Sequence, residues 1–142
     1  MNSICIFGVF VADLCFFAEK IPVKGETVLG KNHIIGPGGK GSNQAIAAAR
    51  LGGNVNFITK IGKDQNAKMA LELYEEAGIN TGSIIQDPNQ STGVAGIMIN
   101  EKTGDNAINI VPGAAGTISK KDIDNNIDCL LYTSPSPRDP IG

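Results

Sequence analysis

The 142 residues are 42% hydrophobic and 18% charged with a formal net charge of −2, a balance that suits one globular domain with a real core and argues against disorder. The acidic excess and the lack of any Lys/Arg run longer than Lys120-Lys121 exclude the basic face expected of a nucleic-acid partner. No apolar stretch approaches the roughly 20 residues that cross a bilayer, and three cysteines, Cys5, Cys15 and Cys129, without CxxC spacing suggest neither a disulfide framework nor a zinc site, so a soluble protein of the reducing cytoplasm is expected.

Residues 4–11 form a short, almost continuous apolar run, the pattern of a strand covered on both faces in a parallel α/β sheet, and Asp13 is expected to end it. As a signal segment the run fails, because no basic residue precedes it and Asp13 follows at once. Residues 14–18 and 27–35 are two further strand-like pieces, separated by the turn-rich Ile21-Pro22-Val23-Lys24-Gly25 and able to pair as a hairpin. After the turn Gly36-Pro37-Gly38-Gly39-Lys40-Gly41, an alanine-rich helix is predicted over 42–51 and stopped by Gly52-Gly53.

Residues 54–61 return as a strand. Asp64 is placed to cap a second helix, in which Ala67, Ala70, Leu73, Tyr74 and Ala77 keep the helical period until Gly78. Residues 93–100 and 106–111 flank a turn at 101–105 and read as a second hairpin. A last helix is predicted over 119–127, begun by a serine cap, and the proline-rich residues 129–142 follow neither pattern, reading as a disordered or foreign tail. Helix-linked strands with inserted hairpins predict an α/β layer carrying a small β appendage.

Glycine is the compositional outlier, 18 of 142 residues against a usual ~7%. The turn at 36–41 invites three interpretations. A P-loop needs a glycine where Ile34 stands and a hydroxyl where Gly41 stands, so it fails twice. A dinucleotide fingerprint matches at Gly36, Gly38 and Gly41, but the acidic residue wanted at the end of the next strand is replaced by Ile61-Gly62-Lys63, with Asp64 committed to a helix cap.

The third interpretation is a family resemblance. Gly38-Gly39-Lys40-Gly41-Ser42-Asn43-Gln44-Ala45, followed by Gly52 and Gly62, resembles the first signature of the ribokinase (PfkB-type) carbohydrate kinases. The likeness extends through Gly8, Asp13, Pro22, Gly25-Glu26-Thr27, Gly93-Val94-Ala95 and Gly113-Ala114, over residues 3–128. It implies the N-terminal part, 1–128, of a ribokinase-like three-layer α/β sheet, with hairpin segments 14–36 and 93–111 forming a small β lid through which two subunits pair. It implies Asp13, Gly38, Gly39, Lys40 and Asn43 as sugar contacts, ribose as the small-molecule partner, and MgATP with a monovalent cation such as potassium as cofactors of the parent enzyme. The catalytic base, the ATP site and any metal site would lie beyond this chain, which is therefore not expected to turn over.

Elementary chemistry agrees with a polyol site. Glycines admit a ligand close to the backbone, a helix N-terminus offers free N–H donors, and Asp13, Lys40 and Asn43 supply an acceptor, a cation and an amide. Taken without the family register, the same residues read as a strand end, a solvated lysine and helix-capping side chains. One position departs from the family pattern: Val11 stands where ribokinases usually carry asparagine, two residues before Asp13, and cannot bond a hydroxyl. His33, alone on a strand, reads as a packing or surface residue, and Gly104-Asp105 as part of a hairpin turn.

Overall fold

The computed structural model, which describes residues 3–126, breaks the first apolar run in two. β1 (Ser3–Phe7) and β2 (Val11–Ala18) lie in different sheets. The chain crosses between them at Gly8-Val9-Phe10, where a Cβ on Gly8 would come within 2.8 Å of the Gly41 Cα and the Phe10 side chain is wholly buried. Asp13 therefore does not end a strand; it is the third residue of β2.

The first sheet is parallel, with β4 (Asn54–Ile61) between β1 and β5 (Ile84–Gln86). Its crossovers run through α1 (Lys40–Arg50) and α2 (Gln65–Ala77). Alternation along β4 puts Val55, Phe57 and Ile61 into one cluster with Phe10, Ala45, Ala67, Ala70 and Tyr74. On the opposite side of β4, the Lys60 ammonium reaches the Thr117 carbonyl at 3.2 Å and Asp122 Oδ2 at 3.3 Å. That contact ties down a 3₁₀ turn (Gly113–Thr117) and the short α3 (Lys120–Asp124).

Helix ends follow local chemistry. Asp64 Oδ1 accepts from the Ala67 N–H at 2.9 Å to start α2, and Gly78, at φ 82°, closes it in the left-handed region. Ser119 and Asp122 form a capping box on α3. The helix is shorter than expected, ending at Asp124; residue 127 and the tail 129–142 lie outside the described residues.

The second sheet is mixed, in the order β3 (Asn32–Gly38), β2, β6 (Val94–Asn100), β7 (Asn106–Val111). Both expected hairpins are present: β2 pairs with β3 and β6 with β7, each antiparallel, while β2 and β6 join them in parallel. β3 starts later than residue 27 and absorbs Gly36-Pro37-Gly38, expected as a turn, because β2 supplies partners for all three. The three-residue β5 was not anticipated; it is too short to carry a pattern.

Cys5 is buried in β1, Cys15 is a free thiol, and Cys129 lies outside the described residues. Among the described residues no helix is long and apolar enough to cross a membrane.

Candidate functional site

The glycine-rich segment is the last part of β3 and the start of α1, and its glycines answer to the protein's own packing. A Cβ on Gly38 would overlap the Asp13 carboxylate. Gly39 sits at φ +97°, a conformation that side chains disfavour, and a Cβ there would collide with the Val9 carbonyl oxygen. The expectation that these two positions are bare so that a ligand can approach thus has a second cause. They let α1 begin directly against the Gly8-Val9-Phe10 crossing. Gly41 and Gly8 face each other across the same contact.

This packing sets Asp13 beside Gly38. The Asp13 side chain is half-buried, and among the described residues it has no hydrogen-bond or ion-pair partner. Burial without compensation pushes its carboxyl above the usual carboxylate range. An unpartnered, partly desolvated carboxylate is a costly feature for a fold and a useful one for a ligand rich in donors. Burial of Cys15 itself raises that thiol, and the neighbouring Asp13 charge raises it further.

Lys40 opens α1 and is exposed; Asn43 follows in the same first turn, with its N–H bonded to the Gly39 carbonyl at 3.0 Å. Gly39, the N-cap residue, gives no side-chain bond to the helix, so the first N–H groups of α1 have no cap from that side chain. The five predicted residues thus fall into two tight groups, Asp13 with Gly38 and Gly39 with the α1 turn. The Asn43 side chain borders a groove of about 290 Å³ lined by Pro37, Ile46, Ala47, Arg50 and Leu73 and makes no hydrogen bond to Asp13 or Lys40.

Val11 stands on the Asp13 side of β2, opposite Gly38 in the register. It is 9% exposed, and its Cγ1 would lie 3.0 Å from a Cβ on Gly93. The wall next to the carboxylate is therefore apolar.

A network that the sequence did not reveal supports the far end of this wall. Besides capping α2, Asp64 accepts from the Thr92 N–H at 2.8 Å and from the Thr92 hydroxyl at 2.7 Å, and that hydroxyl accepts from the Gly62 N–H at 3.0 Å. Thr92 directly precedes Gly93 and β6. The cap was readable from local spacing; the 28-residue reach to Thr92 was not. His33 is exposed on β3, opposite Phe16, as expected of a surface residue. Among the described residues no three His, Cys, Asp or Glu side chains converge on a common point.

The family model for pfkB family carbohydrate kinases matches residues 1–133. A deoxyribokinase of Salmonella typhi is 40% identical over 128 residues, 90% of this chain and 42% of that protein. A ribokinase of Bacillus subtilis is 40% identical over 119 residues, 84% of this chain and 40% of that one. The solved structure of Arabidopsis thaliana ribokinase complexed with ribose and ATP superposes with a TM-score of 0.74 at 30% identity, covering 87% of this chain and 42% of its own. The chain thus spans about two-fifths of the length of the proteins it matches.

Proposed function

Because the chain belongs to the pfkB family of carbohydrate kinases, we propose that it is the acceptor-binding part of a kinase that moves the ATP γ-phosphate onto the primary hydroxyl of a pentose, converting ribose to ribose 5-phosphate. The observation that carries this reading is the unpartnered, half-buried Asp13 carboxylate beside Gly38 and the start of α1. A sugar hydroxyl donating to Asp13 would supply the missing bond, and the exposed Lys40 and Asn43 stand in the adjoining helix turn to meet neighbouring oxygens. The parent enzyme would draw its phosphoryl group from MgATP, with a monovalent cation such as potassium. The base and the nucleotide site are assigned to the part of the relatives' length that this chain does not span. The four-stranded sheet would act as a lid, and a second copy of that sheet would cover its exposed side; a cytoplasmic location suits a reaction that consumes ATP.

Val11 favours a second reading, 2-deoxyribose. An apolar residue two positions before Asp13 offers nothing to a hydroxyl and tolerates its absence, and a deoxyribokinase is among the relatives at 40% identity. A site built to bond a hydroxyl discriminates strongly against the analogue lacking it, whereas an apolar wall does not. Calorimetric titration of the chain with D-ribose and 2-deoxy-D-ribose separates the readings. The ribose reading requires the tighter complex with ribose. Equal or tighter binding of 2-deoxyribose, with Val11→Asn swinging the preference roughly tenfold toward ribose, establishes the second. Binding of neither sugar would sink both.

A further inference from the structure

Tyr74 is the largest of the fully buried side chains and lies on α2, which carries none of the predicted contact residues. Its ring meets Phe10 edge-on at 6.2 Å and Phe57 at 5.4 Å. Its hydroxyl stands 2.7 Å from Ser42 Oγ, also fully buried. Each neighbour matters for what it adjoins. Ser42 lies between Lys40 and Asn43 in the first turn of α1, and Phe10 is three residues before Asp13. One side chain thus touches both pieces of chain that carry the candidate sugar contacts.

The hydroxyl calls for its own explanation. A phenylalanine at 74 would keep the volume and both ring contacts, so among the described residues the oxygen serves the bond to Ser42. That turn of α1 lacks its usual local anchor, because Gly39 forms no side-chain cap bond. On one side it is fixed by the close backbone approach of Gly41 to Gly8; from within the core, the tie is Ser42 to Tyr74. Burial pushes the Tyr74 hydroxyl up to about 12, against a smaller opposing effect of the Ser42 bond.

We infer that Tyr74 and Ser42 are a positioning pair for the sugar site, holding the first turn of α1, and with it Lys40 and Asn43, in a set place relative to Asp13. The inference rests on the reading of those three residues as sugar contacts. It concerns a tie 32 residues long in sequence that runs from Ser42, inside the glycine signature, to Tyr74, outside it.

Tyr74→Phe, Ser42→Ala and the double variant test it, with two readouts taken well below the melting temperature. The first is binding of D-ribose and 2-deoxy-D-ribose. Each single variant should weaken whichever sugar binds by about 3- to 10-fold, the range of one lost hydrogen bond, and the double variant should be no weaker than the worse single one, since the two hydroxyls act as a unit. The second readout is amide exchange along the chain, which should accelerate at residues 40–44 and leave β4 unchanged. Wild-type sugar affinity in folded single variants, or exchange unchanged at 40–44, would overturn the pair's role and reduce it to core packing. If the wild-type chain binds neither sugar, the sugar reading falls while the exchange pattern still decides whether the pair positions the turn: acceleration confined to 40–44 sustains it, and uniform acceleration refutes it.

Discussion

The two sheets of this molecule are built from similar residues and finished differently. In the parallel sheet, Val55, Phe57, Ile58 and Ile61 of β4 are between 0% and 1% exposed. In the mixed sheet, every residue of β7 is exposed, with Ile108 at 53% and Ile110 at 57%. Register places Ile34, Cys15, Ile97 and Ile108 side by side across the four strands, with Gly36, Asp13, Ala95 and Ile110 in the next row of the same face. Since burial stabilises in proportion to the apolar area removed from water, the parallel sheet with its helices carries the fold, and the mixed sheet leaves apolar side chains of β7 exposed. The candidate contact Asp13 stands on the face of those rows, at the end nearest the core.

The strongest way to break this contrast is at the seam between the two sheets. Gly39→Ala should cost upward of about 3 kcal/mol, because the new Cβ meets both a positive φ and the Val9 carbonyl. Urea denaturation measures it; a cost under about 1 kcal/mol would mean that the seam yields easily and that α1 is not fixed by the glycines.

Asp64→Ala comes next, at about 1–2 kcal/mol for the lost cap together with both Thr92 bonds. Burial alone would raise this carboxyl, but the bonds from Thr92 and Ala67 outweigh it and hold the group below the ordinary range. A depressed folded-state value gives stability that is present above the unfolded value near 4 and lost as pH falls through the folded one. The gap between wild type and variant should therefore be full at pH 7 and close in acid below pH 4. A gap that persists unchanged at pH 2 would show that the charge plays no part.

What was legible in the sequence was what local chemistry dictates. Asp64 and Gly78 bound α2 where expected, β4 occupies the predicted 54–61, and each hairpin pairs as its spacing implied. The break at Gly8-Val9-Phe10 was not legible, because the apolar run continues through it and only the approach of Gly41 reveals why the chain must turn. Gly36 to Gly38 read as a turn by composition, yet β2 recruits them into a strand. The candidate contacts were named from the resemblance of a glycine register and Asp13, while one reason for those glycines, contact with Asp13 and Val9, belongs to tertiary packing. Thr92 and Tyr74 were beyond reach for the same reason: their partners are 28 and 32 residues away.

Asp13→Asn sharpens the contrast from the side of function. A carboxyl raised by burial is bound to its proton more readily in the folded state than in the unfolded one, so its contribution to stability falls as pH rises through the raised value. Removing the charge should leave stability at neutral pH unchanged or higher by up to about 0.5 kcal/mol, while sugar affinity drops at least tenfold, as expected for a charged hydrogen-bond partner. Melting and titration of the same variant decide it. A destabilised Asp13→Asn protein would make Asp13 a structural residue.

The smallest effect on the folded monomer belongs to the outer rows of the mixed sheet. Ile108→Lys and Ile110→Lys replace side chains that are already more than half exposed, so each should shift stability by no more than about 0.5 kcal/mol. The same changes in β4 would destroy the core. If a second copy covers this face, wild-type chain should self-associate in sedimentation experiments and the lysine variants should remain monomeric, because an unpaired charge placed in an apolar contact opposes association. A loss of about 2 kcal/mol or more in the isolated lysine variants would show that this face is packed within one chain after all, and the distinction between a sheet built to fold and a sheet built to be covered would be lost.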